Sequence, residues 1–77
     1  MMSLRQFLDA NPFFIDDKIV IKVEGAPVHI YKGTLSELSF YTVHIYGEYL
    51  IKRVEFPECM RGPQAVAVIE LYNKEGS

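Results

Sequence analysis

Asp17-Lys18-Ile19-Val20-Ile21-Lys22-Val23-Glu24-Gly25-Ala26-Pro27-Val28-His29-Ile30-Tyr31-Lys32 is the stretch on which the fold turns. Ile19, Ile21 and Val23 alternate with Lys18, Lys22 and Glu24, the period-two pattern of a strand with one wet face. Glu24 to Pro27 supplies turn residues, and Val28 to Lys32 resumes the alternation. A loop of four residues pairs Val23 with Val28 and Ile21 with Ile30. It also sets Lys22 beside His29 and Val20 beside Tyr31 on the opposite face. The register is self-consistent and predicts a hairpin.

Outward from this hairpin, Ser3 can cap a short helix over Leu4 to Asp9, with Leu4, Phe7 and Leu8 on one face. Asn11-Pro12 ends it, because the residue before a proline avoids the helical region. Phe13-Phe14-Ile15 then reads as an apolar plug that fills the core. On the other side, Gly33 to Leu38 reads as a strand exit and one helical turn, with Thr34 and Glu37 at capping-box spacing. Thr42 to Tyr46 and Tyr49 to Phe56 read as two strands about a Gly47-Glu48 turn, with Ile45 opposite Leu50 and Tyr46 opposite Tyr49. Lys52 then faces inward opposite Val43, which puts it at the sheet margin. One long strand with a bulge at Gly47 is the rival reading. Pro57 to Pro63 is a loop, and Gln64 to Tyr72 is apolar at almost every position, as in a central strand covered on both faces. Asn73 to Ser77 reads as a frayed polar tail.

These elements predict one α+β domain over residues 1–77. Its sheet is mainly antiparallel with about five strands, with the N-terminal helix packed on one face and one short helical turn. The expected core includes Leu4, Phe7, Leu8, Phe14, Val28, Val43 and Ile45 besides the inner positions of the strands.

A chain of 77 residues that is 49% hydrophobic and 23% charged folds as a single globular domain rather than staying disordered. Apolar burial and chain ordering nearly cancel at this length, so self-association, as a symmetric homodimer, is expected. The contact would be an edge strand or the tyrosines Tyr31, Tyr46 and Tyr49. The net charge of −2 argues against a dedicated electrostatic binder of nucleic acid or membrane. One cysteine, Cys59, cannot build a disulfide framework, and no apolar run has the length of a membrane span or signal-peptide core. A cytoplasmic location is expected.

No constellation for catalysis stands out, so the chain is not expected to be an enzyme or to carry a cofactor. Val28-His29-Ile30-Tyr31 is repeated as Val43-His44-Ile45-Tyr46 and places His and Tyr outward on two strands. Two histidines without a spaced third ligand fall short of a zinc site, so they read as exposed strand residues and no metal is expected. Cys59 beside Arg61 lacks a base in reach, and Asp16-Asp17 and Glu55 with Glu58 read as solvated carboxylates. The outer sheet face collects Lys18, Lys22, His29, Tyr31, His44, Tyr46, Tyr49 and Arg53, diluted by Glu24 and Glu55. Tyrosine-rich faces suit protein contacts, which makes a non-catalytic protein-interaction module the leading expectation. Aromatics interleaved with bases also suit single-stranded nucleic acid, the alternative, although the net charge opposes it.

Ser3-Leu4-Arg5-Gln6-Phe7-Leu8, then Val28-His29-Ile30-Tyr31-Lys32-Gly33-Thr34-Leu35-Ser36-Glu37-Leu38, then Val43-His44-Ile45-Tyr46 resembles a group of small hypothetical proteins of bacterial prophages and mobile elements. The shared features are a helical start, a central Ile-Tyr strand with a turn glycine, and a second Ile-Tyr strand. The likeness covers roughly the first two-thirds of the chain, and its motifs are apolar alternation plus a turn, which specify fold at most. The chain departs from the group by continuing past Phe56 with a further strand. The resemblance implies an accessory protein of a phage or mobile element and supplies no catalytic residues.

Overall fold

Ser3 opens the first helix as the sequence predicts. Its hydroxyl accepts from the Gln6 amide at 3.2 Å, and the Gln6 side chain accepts from the Ser3 amide at 3.0 Å, a reciprocal capping box. The structure, a computed structural model, describes residues 1–10, 13–56 and 67–75, with residues 74 and 75 described by their backbone alone. Its elements are α1 (Leu4–Asp9), β1 (Lys18–Val23), β2 (Tyr31–Thr34), a 3₁₀ turn (Leu35–Glu37), α2 (Phe40–Tyr46), β3 (Tyr49–Glu55) and β4 (Ala67–Glu75). The four strands lie in the order β2-β1-β4-β3. The outer pairs are antiparallel, whereas β1 and β4 run parallel at the centre. The α+β class stands. The sheet is mixed rather than mainly antiparallel, and it has four described strands rather than five.

The missing strand is α2. Phe40 to Tyr46 is rich in aromatic and β-branched residues and reads locally as a strand, yet Ser39 caps it as a helix by accepting from the Tyr41 amide at 2.9 Å. Its burial follows a helical period: Thr42, Val43 and Tyr46 are half-buried, while Phe40, Tyr41, His44 and Ile45 are exposed. Tertiary context overrides propensity here, because the chain must travel from β2 at one edge of the sheet to β3 at the other. Gly47 ends the helix by donating to the Val43 carbonyl at 2.7 Å and accepting from the Arg5 amide at 2.9 Å. A methyl group there would collide with the Val43 carbonyl oxygen and press on the Arg5 guanidinium, so only glycine fits.

The β1–β2 hairpin forms in a different register. Ile21 opposes Tyr31 and Ile19 opposes Gly33, one residue away from the predicted pairing. Gly25 takes a φ of +80°, and the connection runs from Glu24 to Ile30, which leaves Val28 and His29 exposed outside the sheet. A slip of one residue reverses every face, so Tyr31 turns to the core side instead of outward. Its ring lies over Gly33, and its hydroxyl donates to the Thr34 carbonyl. Burial, and secondarily the Glu37 carboxylate, raises the Tyr31 phenol above its ordinary value.

Leu4, Phe13, Ile19, Ile21, Val23, Ala67, Ile69 and Leu71 form the buried core, with Phe7, Leu8, Leu35, Leu38, Tyr46, Tyr49, Ile51 and Val54 packed around it. Phe13 is buried and meets Phe7 edge-to-face at 5.7 Å between ring centres. Phe14 and Ile15, expected inside with it, are exposed because the turn closed by the Asp17 amide on the Phe14 carbonyl (3.0 Å) directs them outward. Val28 and Ile45 are likewise outside the core. β4 takes the central place expected of it, and it extends to Glu75, so residues 73–75 belong to the sheet rather than to a frayed tail. Residues 57–66, including Cys59 and the start of the predicted last strand, lie outside the described residues, as do Asn11, Pro12 and residues 76–77. Among the described residues no helix is long and apolar enough to cross a membrane.

Two outcomes check this arrangement. Ile21→Ala, at a fully buried site on β1, should cost about 2–5 kcal/mol in urea denaturation, whereas Val28→Ala should cost less than about 0.5 kcal/mol. Equal losses would restore the predicted register. A folded-state phenol pKa above the unfolded value of about 10 means that the folded chain holds this proton more tightly. Stability contributed by Tyr31 is therefore complete below pH 10 and falls as pH rises past that value. In thermal melts between pH 9 and 11, Tyr31→Phe should flatten that fall.

Candidate functional site

Glu70 is the one acidic residue in the described part of β4 that is buried, at 9% exposure. Alternation along β4 sends Ala67, Ile69 and Leu71 to the helix-bearing core and Val68, Glu70 and Tyr72 to the opposite face. The flanking strands fix what surrounds them. One row across the sheet reads Lys32, Val20, Val68, Glu55, and the next reads Lys22, Glu70, Arg53. Beyond these, Lys52 meets Glu24 at 3.7 Å across β4, where the Asn73 amide also donates to Glu24 at 3.4 Å. The ladder shift between Ile51 and Arg53 places Lys52 as an extra residue on β3, which corrects its predicted place opposite Val43.

No described helix packs on this face. Among the described side chains it carries Lys18, Lys22, Lys32, Lys52 and Arg53 against Glu24, Glu55 and Glu70, an excess of two positive charges on a chain whose net charge is −2. Val20, Val68 and Tyr72, each half-buried, supply an apolar strip between the charges. Arg53 Nε contacts Glu70 at 2.8 Å and Glu55 at 3.1 Å. A buried carboxylate is costly without a partner, and the ion pair with Arg53 accounts for its presence, with Lys22 level with it on β1. Among the described residues Lys18, Lys22 and Lys32 make no ion pair; Lys18 and Lys32 are exposed and Lys22 is half-buried.

The structure divides the predicted interaction face. Lys22 and Arg53 lie on the open face, as does Lys18. Tyr31 is on the core side. Tyr46 and Tyr49 also pack against the core and meet each other edge-to-face at 5.2 Å, because α2 turns Tyr46 inward and β3 starts beneath it. His29 is exposed in the β1–β2 connection, and His44 is exposed on α2, so they are not cross-strand neighbours. No group of three or more metal-ligating side chains gathers among the described residues. The sequence reading missed Val20, Lys32, Val68, Glu70 and Tyr72. A lone glutamate within an apolar strand was the available signal for Glu70.

The Glu70 pair should be worth more than an ordinary surface contact. Arg53→Ala leaves the carboxylate buried beside Lys22 alone and should cost about 1–2 kcal/mol, discounted because the guanidinium is more than half exposed. Glu55→Ala removes an exposed partner and should cost less than about 0.5 kcal/mol. Equilibrium urea unfolding of both variants decides it, and a Glu55 loss equal to that of Arg53 would contradict the assignment.

Comparison of the chain with protein-family models, with curated proteins and with solved structures gave no match in any of the three.

Proposed function

We propose that this chain is a non-catalytic interaction module that binds an acidic surface of a protein partner on the open face of its sheet. The observation that carries the reading is the local excess of positive charge around Val20, Val68 and Tyr72 on a chain that is acidic overall. Cations steer an acidic partner and set its orientation, while the aliphatic strip and one tyrosine supply area to desolvate. An accessory role in a phage or mobile element, implied by the resemblance of the sequence, accords with a small binding module.

Single-stranded nucleic acid is the weaker reading. Stacking needs exposed ring faces, and Tyr31, Tyr46 and Tyr49, the aromatics expected to provide them, pack against the core instead. Tyr72 alone is left among the described residues of the open face. Bases without a row of rings favour a folded acidic surface over an unstacked strand.

The test is an NMR titration with two probes of equal charge, an acidic peptide alternating glutamate with leucine and an oligothymidylate. The peptide should shift the amide signals of Val20, Lys22, Val68 and Tyr72, and Lys22→Glu with Lys32→Glu should weaken it at least about tenfold, or 1.4 kcal/mol. Tighter binding of the oligothymidylate, or no shift with either probe at millimolar concentration, would overturn the reading.

A further inference from the structure

Charge on the open face is not evenly spread. Toward β3 each cation has a carboxylate: Arg53 meets Glu70 at 2.8 Å and Glu55 at 3.1 Å, and Lys52 meets Glu24 at 3.7 Å. The surplus therefore resides in Lys18, Lys22 and Lys32 on β1 and β2, none of which makes an ion pair among the described residues. All three surround Val20. Lys18 and Lys22 stand two residues before and after it on β1, and Lys32 opposes it on β2. Lys32 is thus a diagonal neighbour of both at about 7–8 Å, while Lys18 and Lys22 lie about 13 Å apart along the strand. Like charges so placed repel, and the carboxylates around them are already engaged. Glu70, level with Lys22, is held by Arg53, and Glu24 by Lys52 and the Asn73 amide. Glu37, near the Lys18–Thr34 pair, accepts from the Thr34 hydroxyl at 3.0 Å. An arrangement that costs stability in the free chain and regains it when an anion binds marks a site.

We propose that Lys18, Lys22 and Lys32 seat a phosphoryl group carried by a protein partner, which rests on the reading of the open face as a binding surface and names the acidic group it takes. Three ammoniums call for more than the single charge of a carboxylate. A phosphomonoester brings a charge near −2 and three acceptor oxygens that point three ways, one for each lysine. The free cations are all lysines, point charges on flexible four-carbon stems that can close over Val20 from three sides. Arg53, whose flat fork suits a carboxylate, is instead committed to two glutamates. Val68 follows Val20 in the same row of the sheet, so an apolar residue next to the phosphorylated one has a half-buried valine to cover. That continuity favours a phosphorylated protein segment over a free ion.

An NMR titration of the full chain tests it with three probes. These are a peptide alternating glutamate with leucine about one central phosphoserine, the same peptide with glutamate at that centre, and inorganic phosphate. The phosphopeptide should bind at least about tenfold tighter than its glutamate counterpart and shift the amide signals of Lys18, Val20 and Lys32 most. Lys32→Gln should abolish that preference, and its urea midpoint should equal or exceed that of the wild type, because it removes a repelled charge. Equal affinity for the two peptides overturns the phosphoryl assignment and leaves the acidic-surface reading standing, whereas no shift with either peptide overturns both. Inorganic phosphate that binds as tightly as the phosphopeptide overturns the protein-borne source. A preference that survives Lys32→Gln unchanged overturns the site, as does a midpoint below that of the wild type, the mark of a structural lysine.

Discussion

The parallel pairing of β1 with β4 is the constraint from which the rest of the architecture follows. Ile19, Ile21 and Val23 lie level with Ala67, Ile69 and Leu71 along it, and six of the eight buried core residues belong to these two strands. A parallel pair cannot be closed by a tight turn, so everything between the two strands becomes their crossover. β2, the 3₁₀ turn, α2 and β3 all lie in that crossover. α2 must therefore pass over the core face from one edge of the sheet to the other. α1 joins it there, with Leu4 fully buried and the Arg5 amide bonded to Gly47. The N-terminus also closes part of the outer edge of β3, where the Ile51 amide donates to Met2 at 2.9 Å.

One helical layer on one face leaves the other to solvent among the described elements, and that sets the chemistry of β4. A central strand between two helical layers can be apolar throughout, but β4 carries Glu70 between Val68 and Tyr72, where an apolar residue would make the strip continuous. Arg53 on β3 meets that carboxylate at 2.8 Å, and β1 sets Lys22 level with it on the other side. The open face is thus a charge ladder around a narrow apolar strip, more specific in shape than a plain hydrophobic patch.

Much of this was legible in the sequence, and the failures share a cause. The helix over Leu4 to Asp9, its Ser3 cap, the strand Lys18–Val23, the helical turn after Thr34 and the central place of the last strand could all be read from period and caps. What failed depends on which strand meets which. The hairpin register missed by one because Gly25 and Pro27 support either a short or a wide connection, and nothing local separates them. That single step carried Tyr31 from the outer to the inner side. Thr42–Tyr46 failed because β-branched and aromatic residues mark a strand locally, while the crossover geometry asks for a helix. With Tyr46 turned inward by α2, the predicted cluster of tyrosines, histidines and bases could not exist as one surface. Lys22 and Arg53 kept their place because both lie on strands read in phase.

The open face is poorly suited to meeting its own copy. Stacking the open faces of two copies would set like excess charge against itself and desolvate Glu70 and its cations, which is unfavourable on both counts. The edge of β2 is a poor alternative, since the strand has only four residues and the Tyr31 hydroxyl already occupies the Thr34 carbonyl. Both routes to self-association are thus costly, and the Lys18, Lys22 and Lys32 charges are better matched by an acidic surface than by a second copy.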